Sequence, residues 1–204
     1  LLYREPPHYI TLGKELPAKA LDEILTDHAE VFTELKEYYK QTSESDTTKI
    51  SFYEDTYSLY NLYRFAHYYE EAYGKYIWLK SGASLVIEHT EAMTVIDVNT
   101  GSVLKKKKQE DTLFYQINRE AAKEIARQLR LRNISGIIMI DFINMKDTAQ
   151  KEKLLSLLDS ECKKDRVHCN VIDMTALNLV EMTRSKVRKP LHEQIRSCMK
   201  NNRS

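Results

Sequence analysis

The chain has 204 residues, of which 42% are hydrophobic and 30% are charged, with only five glycines and four prolines. This composition excludes a disordered or fibrous chain and is typical of a globular protein with a sizeable core. The formal net charge of +1 does not mark a nucleic-acid binder, because only local clustering of basic residues could do so.

The three cysteines, an odd number without metal-knuckle spacing, predict a reducing, cytoplasmic location rather than a disulfide framework. The longest apolar run, residues 134–140, is far too short to cross a bilayer, so we expect no membrane segment. The N-terminus lacks the basic and apolar stretches of a signal peptide. It also lacks an initiator methionine, which indicates a piece of a longer protein or a chain whose start is not shown.

The first 78 residues contain twelve of the thirteen tyrosines and predict strands mixed with helices. Apolar spacing over residues 18–40 predicts two helices that meet near Asp27, and a polar loop follows at 41–48. We expect a strand at 50–53 and a tyrosine-rich helix at 59–76. These tyrosines could stack on nucleic-acid bases, but their helical spacing favours a role in the core and at its boundary.

The second half has a more regular pattern of strands and helices. Residues 83–88 and 92–98 predict two antiparallel strands, and 136–142 predict a central strand buried on both faces. Helices are expected at 112–132 and 148–164, where apolar residues recur at helical spacing. Further strands are expected at 167–174 and 177–182. Strands interleaved with helices predict a layered α/β domain.

Polar residues interrupt two of these apolar strands near their ends. Asp97 and Asn99 are two residues apart and therefore share a face, and Asp141 ends the most apolar strand. Mg²⁺ prefers oxygen ligands and uses few protein carboxylates, so this set suits a site that cleaves a phosphodiester. The same residue types also cap turns at strand ends, and spacing alone leaves that alternative open.

Three long blocks of the chain match a family signature in order and spacing. They are SGASLVIEHTEAMTVIDVNTG (81–101), DTLFYQINREAAKEIARQLRLRNISGIIMIDFINM (111–145) and LNLVEMTRSKVRKPLHE (177–193), with DR at 165–166 between the last two. The chain resembles the ribonuclease E/G family over nearly its whole length. The first half aligns less closely, through LLYREP, DEILTD and the FYED segment.

The resemblance implies a fold and a site. It implies a DNase I-like layered α/β catalytic domain over residues 79–195, preceded by the C-terminal part of an RNase H-like subdomain over residues 1–78. It places the family's catalytic residues on Asp97, Asn99 and Asp141. The two aspartates would hold Mg²⁺, with Mn²⁺ as a substitute, and the asparagine would help to place the metal-bound water or the scissile phosphate.

The resemblance also implies an activity. The expected reaction is the cleavage of single-stranded, AU-rich RNA to 5′-phosphate and 3′-hydroxyl products, in RNA processing and decay. A catalytically weakened RNA-binding or scaffolding fragment is the main alternative, and a DNA-cutting phosphodiesterase is a weaker one.

The sequence departs from the family pattern at two places. Asn144 stands where the family has a second aspartate, and we expect it, with Glu91, to lie behind the metal ligands and support them. For Glu91, a plain position at a strand edge is an open alternative. The family's zinc link between protomers needs two cysteines three residues apart. Cys198 in the tail, residues 196–204, has no such partner, so we expect no zinc link, and the formation of a homo-oligomer stays open.

Two basic clusters are candidates for RNA contacts. Lys105, Lys106, Lys107 and Lys108 follow the Asp97 turn and could grip phosphates, although an ordinary solvated loop is an equal alternative. Arg184 and Lys186 are better candidates because the family match includes them. Cys162, His168 and Cys169 could suggest a metal cluster, but a buried helical cysteine and a chance pairing on a strand are the favoured interpretation.

Overall fold

The structure is a computed structural model that describes residues 7, 9–11, 21–42, 49–101 and 110–195. The chain forms two compact units, Leu1–His67 and Tyr68–Ser204. Strands and helices alternate in both, which confirms the predicted α/β class. Among the residues that are described, no helix has the length and apolar character needed to span a membrane.

The first unit contains a two-stranded parallel sheet. Strands β1 (Glu23–Thr26) and β2 (Lys49–Phe52) pair in register, and helix α1 (Ala29–Thr42) connects them through residues outside the described ranges. The prediction of two helices before residue 40 is therefore wrong for the first of them. Its backbone groups pair with β2, and this tertiary pairing overrides the helical spacing of Leu21 and Leu25.

The predicted tyrosine-rich helix is interrupted. Helix α2 (Leu59–Leu62) ends at Tyr63, Arg64 adopts a positive φ of 51°, and helix α3 (Phe65–Tyr73) begins directly afterwards. The expectation that the tyrosines lie in the core is wrong for seven of them, which are exposed: Tyr57, Tyr60, Tyr63, Tyr68, Tyr69, Tyr73 and Tyr76. Ala72 is the one buried residue of α3, so the rings of this helix face away from the core.

The second unit is built on a six-stranded mixed sheet. Its strands are β3 (Tyr76–Trp78), β4 (Ser84–His89), β5 (Met93–Asn99), β6 (Gly136–Asp141), β7 (Cys169–Met174) and β8 (Leu179–Arg184). They lie in the order β3-β4-β5-β6-β8-β7, and all neighbours are antiparallel except β5 and β6. The antiparallel pair β4–β5 and the central position of β6 confirm two predictions.

Helices α4 (Glu110–Leu131) and α5 (Thr148–Cys162) supply the other half of the core. Alternate residues of the strands, such as Ile96, Ile138 and Ile140, are buried in one hydrophobic cluster with residues of both helices. The opposite face of the sheet is more open. The prediction that β6 is buried on both faces is wrong, because Ile137 is 50% exposed and only alternate side chains point toward the helices.

Candidate active site

The two aspartates that the sequence singled out lie side by side. Strands β5 and β6 run parallel, and their register places Asp97 directly opposite Asp141. Residues that are opposite each other on neighbouring strands point to the same face, and the strands lie about 4.8 Å apart. Because Ile96 and Val98 face the core, both carboxylates project from the open face of the sheet.

Asn99 joins this pair from the last position of β5. Its Nδ2 donates a hydrogen bond to Oδ2 of Asp97 over 2.6 Å, which fixes the orientation of both side chains. The amide oxygen of Asn99 then remains as an acceptor beside the carboxylates. The structure therefore brings together the three predicted catalytic residues at one edge of two neighbouring strands.

The electrostatics of this pair favour a bound cation. Desolvation raises the pKa of the Asp141 carboxyl, and the nearby Asp97 carboxylate raises it further. Two carboxylates that repel each other are stabilised by a positive charge between them. Within the described ranges, no group of three or more His, Cys, Asp or Glu residues is placed to hold a metal. A cation at this site would therefore be held by only two carboxylates together with the Asn99 amide. The donor set of two carboxylates and an amide oxygen fits Mg²⁺, which completes its coordination with water and phosphate oxygens.

A buried side chain of α4 holds the loop that follows Asp141. Asn118 is fully buried; its Nδ2 donates to the carbonyl oxygen of Ile143 over 2.8 Å, and its Oδ1 accepts from the backbone N–H of Ile143 over 3.0 Å. Ile143 lies between Asp141 and Asn144. Sequence reasoning missed this residue, although a polar residue on the apolar side of a helix was a visible signal.

A second side chain of α4 holds the other loop at this edge. Glu120 accepts hydrogen bonds from the backbone N–H groups of Lys80 and Ser81, at 2.7 and 3.2 Å. The turn that they form lies against Gly101, where an added Cβ would be 2.6 Å from the carbonyl oxygen of Gly82. Only glycine fits at position 101, which also has a φ of +56°. Helix α4 thus supports the chain on both sides of the candidate site.

We expect Asn118→Ala to destabilise the protein by about 1–3 kcal/mol, because both backbone groups of Ile143 would lose their partner in a buried place. The same change is expected to raise the Mg²⁺ concentration needed for half-maximal activity about 10- to 100-fold, since the loop beside Asp141 loses its support. Chemical denaturation and a magnesium titration measure the two effects. Asn170→Ala, at an exposed position of β7, is the control and should change neither.

The structure separates the two residues that were predicted to support the metal ligands. Asn144 is exposed in the loop after β6, three residues beyond Asp141 and at the same end of the sheet. Glu91 lies in the turn between β4 and β5, at the opposite end of β5. At a rise of about 3.3 Å per residue it is roughly 20 Å from Asp97. The structure therefore favours the alternative for Glu91, a position at a strand edge, because β5 carries it away from the site.

Arg184 is not an RNA contact, and this prediction is wrong as well. The side chain is 3% exposed, and its Nε donates to Oδ2 of Asp165 over 2.9 Å. Its Nη1 donates to Asn133 Oδ1 and to the carbonyl oxygen of Ile134, at 2.9 and 3.0 Å. Arg184 also pairs with Gly136 at the end of β6 that is remote from Asp141. The residue is a buried structural cation, because its strand position points it into the core side of the sheet.

The remaining basic residues divide into two groups. The Lys186 side chain is 61% exposed and lies 3.5 Å from Glu193, at the same remote end as Arg184, so the structure does not bring it to the aspartates. Lys105, Lys106, Lys107 and Lys108 lie outside the described residues, as does the tail at 196–204 with Cys198. The role of the four lysines in RNA binding stays a prediction.

The cysteines and His168 do not form a metal cluster in the part of the chain that is described. Cys162 is buried at the end of α5, and Cys169 is partly buried at the start of β7; both are free thiols. The favoured interpretation of Cys162 as a buried helical cysteine is confirmed.

Comparison with known proteins identifies the family. The chain matches the Ribonuclease E/G family over residues 1–187. It is 37% identical to ribonuclease G of Haemophilus influenzae over 93% of this chain and 38% of that protein. It is 38% identical to ribonuclease G of Escherichia coli (84% of this chain, 35% of that protein) and 32% identical to ribonuclease E of a Nostoc species (95% and 28%). The chain thus spans little more than a third of these ribonuclease G relatives, and it belongs to the Ribonuclease E/G family.

Proposed function

We propose that this chain carries the catalytic site of a magnesium-dependent endoribonuclease. The observation that carries the proposal is the juxtaposition of Asp97 and Asp141 on the open face of the sheet, with Asn99 bonded to Asp97. The proposed substrate is single-stranded, AU-rich RNA, and the proposed products carry a 5′-phosphate and a 3′-hydroxyl. The names of the relatives support RNA as the substrate.

Each residue of the site has a role in this proposal. The carboxylates of Asp97 and Asp141 would hold Mg²⁺, or Mn²⁺ in its place. When bound, the ion would activate a water molecule and neutralise charge on the phosphodiester. Asn99 would orient Asp97 through the hydrogen bond from Nδ2 and would present its amide oxygen to the water or the phosphate. Asn118 would hold the loop that carries Asn144 at a fixed distance from Asp141.

The finer fold assignment is also a proposal. A sheet with two helices on one face and polar residues at its strand ends supports a DNase I-like catalytic domain, and we assign the preceding unit to the RNase H-like subdomain. We further propose a cytoplasmic location, which the free thiols of Cys162 and Cys169 support. The lack of a cysteine three residues after Cys198 supports an assembly, if one forms, without the zinc link.

A catalytically weakened RNA-binding fragment is the second candidate. The observation that favours it is Asn144, which stands in the loop beside Asp141 where the family has an aspartate, so the site has one negative charge fewer. Lower charge weakens the attraction for Mg²⁺. This candidate predicts that single-stranded RNA binds but stays intact in magnesium.

A cleavage assay separates these two functions. The purified chain is incubated with a fluorescent AU-rich single-stranded RNA, either with Mg²⁺ or with EDTA, and a DNA strand of the same sequence serves as the control. We expect cleavage of the RNA in Mg²⁺ alone, with 5′-phosphate ends on the new fragments. Binding without cleavage at any Mg²⁺ concentration would favour the weakened fragment, and equal cleavage of DNA would contradict the proposed substrate.

A further inference from the structure

The edge strand of the sheet presents two aromatic rings to solvent. In β3, Tyr76 is 60% exposed and Trp78 is 73% exposed, whereas Ile77 between them is 5% exposed and belongs to the core cluster. Side chains alternate along a strand. Both rings therefore belong to the face of the sheet that is opposite the helices.

The register connects these rings to the candidate active site. Tyr76 lies opposite Val86, and Val86 lies opposite Asp97. The next row of cross-strand partners on this face lies two residues along each strand. In it, Trp78 lies opposite Ser84, and Ser84 lies opposite Asn99. Each ring is therefore two strand spacings, about 10 Å, from a residue of the site. The two rows are continuous with the catalytic residues on a single surface.

An exposed tryptophan next to a polar site needs a physical explanation. Tryptophan is highly buried on average, and exposed aromatic clusters mark surfaces that bind something. The neighbouring residues indicate what binds here: Asp97 and Asn99 are placed to act on a phosphodiester, and an exposed lysine, Lys80, follows Trp78. Nucleotides next to the scissile phosphate must cross this face, and the faces of unpaired bases stack on aromatic rings.

We propose that Trp78 and Tyr76 form a base-stacking subsite for nucleotides that flank the scissile phosphate of single-stranded RNA. This inference rests on the endoribonuclease function proposed above and adds a reason for single-strand preference. A base can lie flat on an indole only when it is free of a complementary strand. Stacking also tolerates any base, because every base has a flat aromatic face.

Binding of RNA at Trp78 can be followed by tryptophan fluorescence, because Trp78 is the only tryptophan in the chain. RNA is added to the Asp97→Asn variant in magnesium, so that the strand is not consumed, while tryptophan fluorescence and the anisotropy of a label on the RNA are recorded together. We expect single-stranded RNA to quench Trp78. A strand of the same length without bases should leave the fluorescence unchanged, as should a duplex of the same sequence.

Variants measure the contribution of stacking. In the otherwise unaltered chain, Trp78→Ala is expected to raise KM for single-stranded RNA about 5- to 150-fold, the range for the loss of one stacked base, whereas Trp78→Phe should retain most of the affinity. Tyr69→Ala removes a ring of helix α3 that is 56% exposed, close to the 60% of Tyr76, and this matched control should bind RNA unchanged. Thermal unfolding of each variant checks that the fold is intact.

The outcomes distinguish this inference from the function on which it rests. If Trp78→Ala cuts RNA as well as the unaltered chain while Asp97→Asn is inactive, that result would contradict the base-stacking subsite and leave the proposed endoribonuclease function intact. Quenching by the strand without bases would assign Trp78 to backbone contact rather than stacking. If RNA binds without any change in Trp78 fluorescence, Trp78 takes no part in RNA binding and the subsite is wrong. An unaltered chain that neither binds nor cuts RNA would overturn both proposals.

Discussion

Replacing Asp97 by asparagine is expected to lower the cleavage of single-stranded RNA by about a hundredfold or more. The metal that this carboxylate would hold stabilises the transition state by several kcal/mol, and each 1.36 kcal/mol corresponds to a factor of ten in rate. Single-turnover cleavage at saturating Mg²⁺ measures the loss. Asn99 is close enough to bond to the new amide, so the variant should keep the arrangement of the strand.

Asp141→Asn should cause the same loss of cleavage without loss of stability. Desolvation raises the pKa of Asp141, and its neighbour Asp97 raises it further because two ionised carboxylates repel each other. Removing one charge relieves this repulsion, so the melting temperature should stay the same or rise. Magnesium should stabilise the unaltered chain and not the variant, because the ion binds the folded state through this pair.

The matched control for both changes is Asp173→Asn, which neutralises an exposed carboxylate on β7. It should leave cleavage and the response to magnesium unchanged. Full activity of either Asp97→Asn or Asp141→Asn would place the metal elsewhere. A variant that loses activity together with several degrees of melting temperature would show that the side chain serves the fold.

Arg184→Leu is expected to destabilise the protein by about 3–5 kcal/mol, which is the effect of breaking a buried ion pair and leaving one charge uncompensated. The side chains of Arg184 and Asp165 are 3% and 7% exposed, and Arg184 also donates to Asn133 and to the carbonyl oxygen of Ile134. Denaturant unfolding measures the free energy. Any loss of RNA affinity should follow from unfolding rather than from a lost phosphate contact.

Lys186→Ala is the comparison for this change. Its side chain is 61% exposed and lies 3.5 Å from the partly exposed side chain of Glu193, so we expect a change within about 0.5 kcal/mol. The double variant Arg184→Leu with Asp165→Leu should recover part of the stability, because no unpaired charge remains. Weaker RNA binding by an Arg184 variant that is as stable as the unaltered chain would contradict the structural role.

The sequence predicted the strands and helices of the second unit well because each has a strong local pattern. The alternation in β4 and β5 and the apolar spacing of α4 identify those elements without tertiary information. The failures have physical causes. Residues 23–26 have helical apolar spacing but pair with β2, and the apolar run of β6 does not reveal that Ile137 faces solvent. Pairing partners and the number of layers on a sheet are not local properties.

The candidate site was likewise predictable from the sequence only where local patterns decide. Asp97, Asn99 and Asp141 could be identified because polar residues stand out in apolar strands and match a family signature. Their side-by-side placement depends on the parallel register of β5 and β6, which no local pattern gives. The same information was missing for Arg184: it lies in a matching block, and its burial depends on the contact with Asp165. A match to a family motif cannot distinguish a residue that contacts the substrate from one that forms a structural ion pair.

The parallel pairing of β5 and β6 has a consequence for biosynthesis. Parallel neighbours need a long crossover, and here the 22-residue helix α4 lies between the two strands. Asp97 and Asp141 are therefore distant in the unfolded chain and become neighbours only when the crossover has closed, a slow kind of contact to form. A growing chain that has emerged from the ribosome only as far as α4 holds one half of the proposed metal site. The cleavage of RNA proposed for this pair would therefore require the crossover to close first.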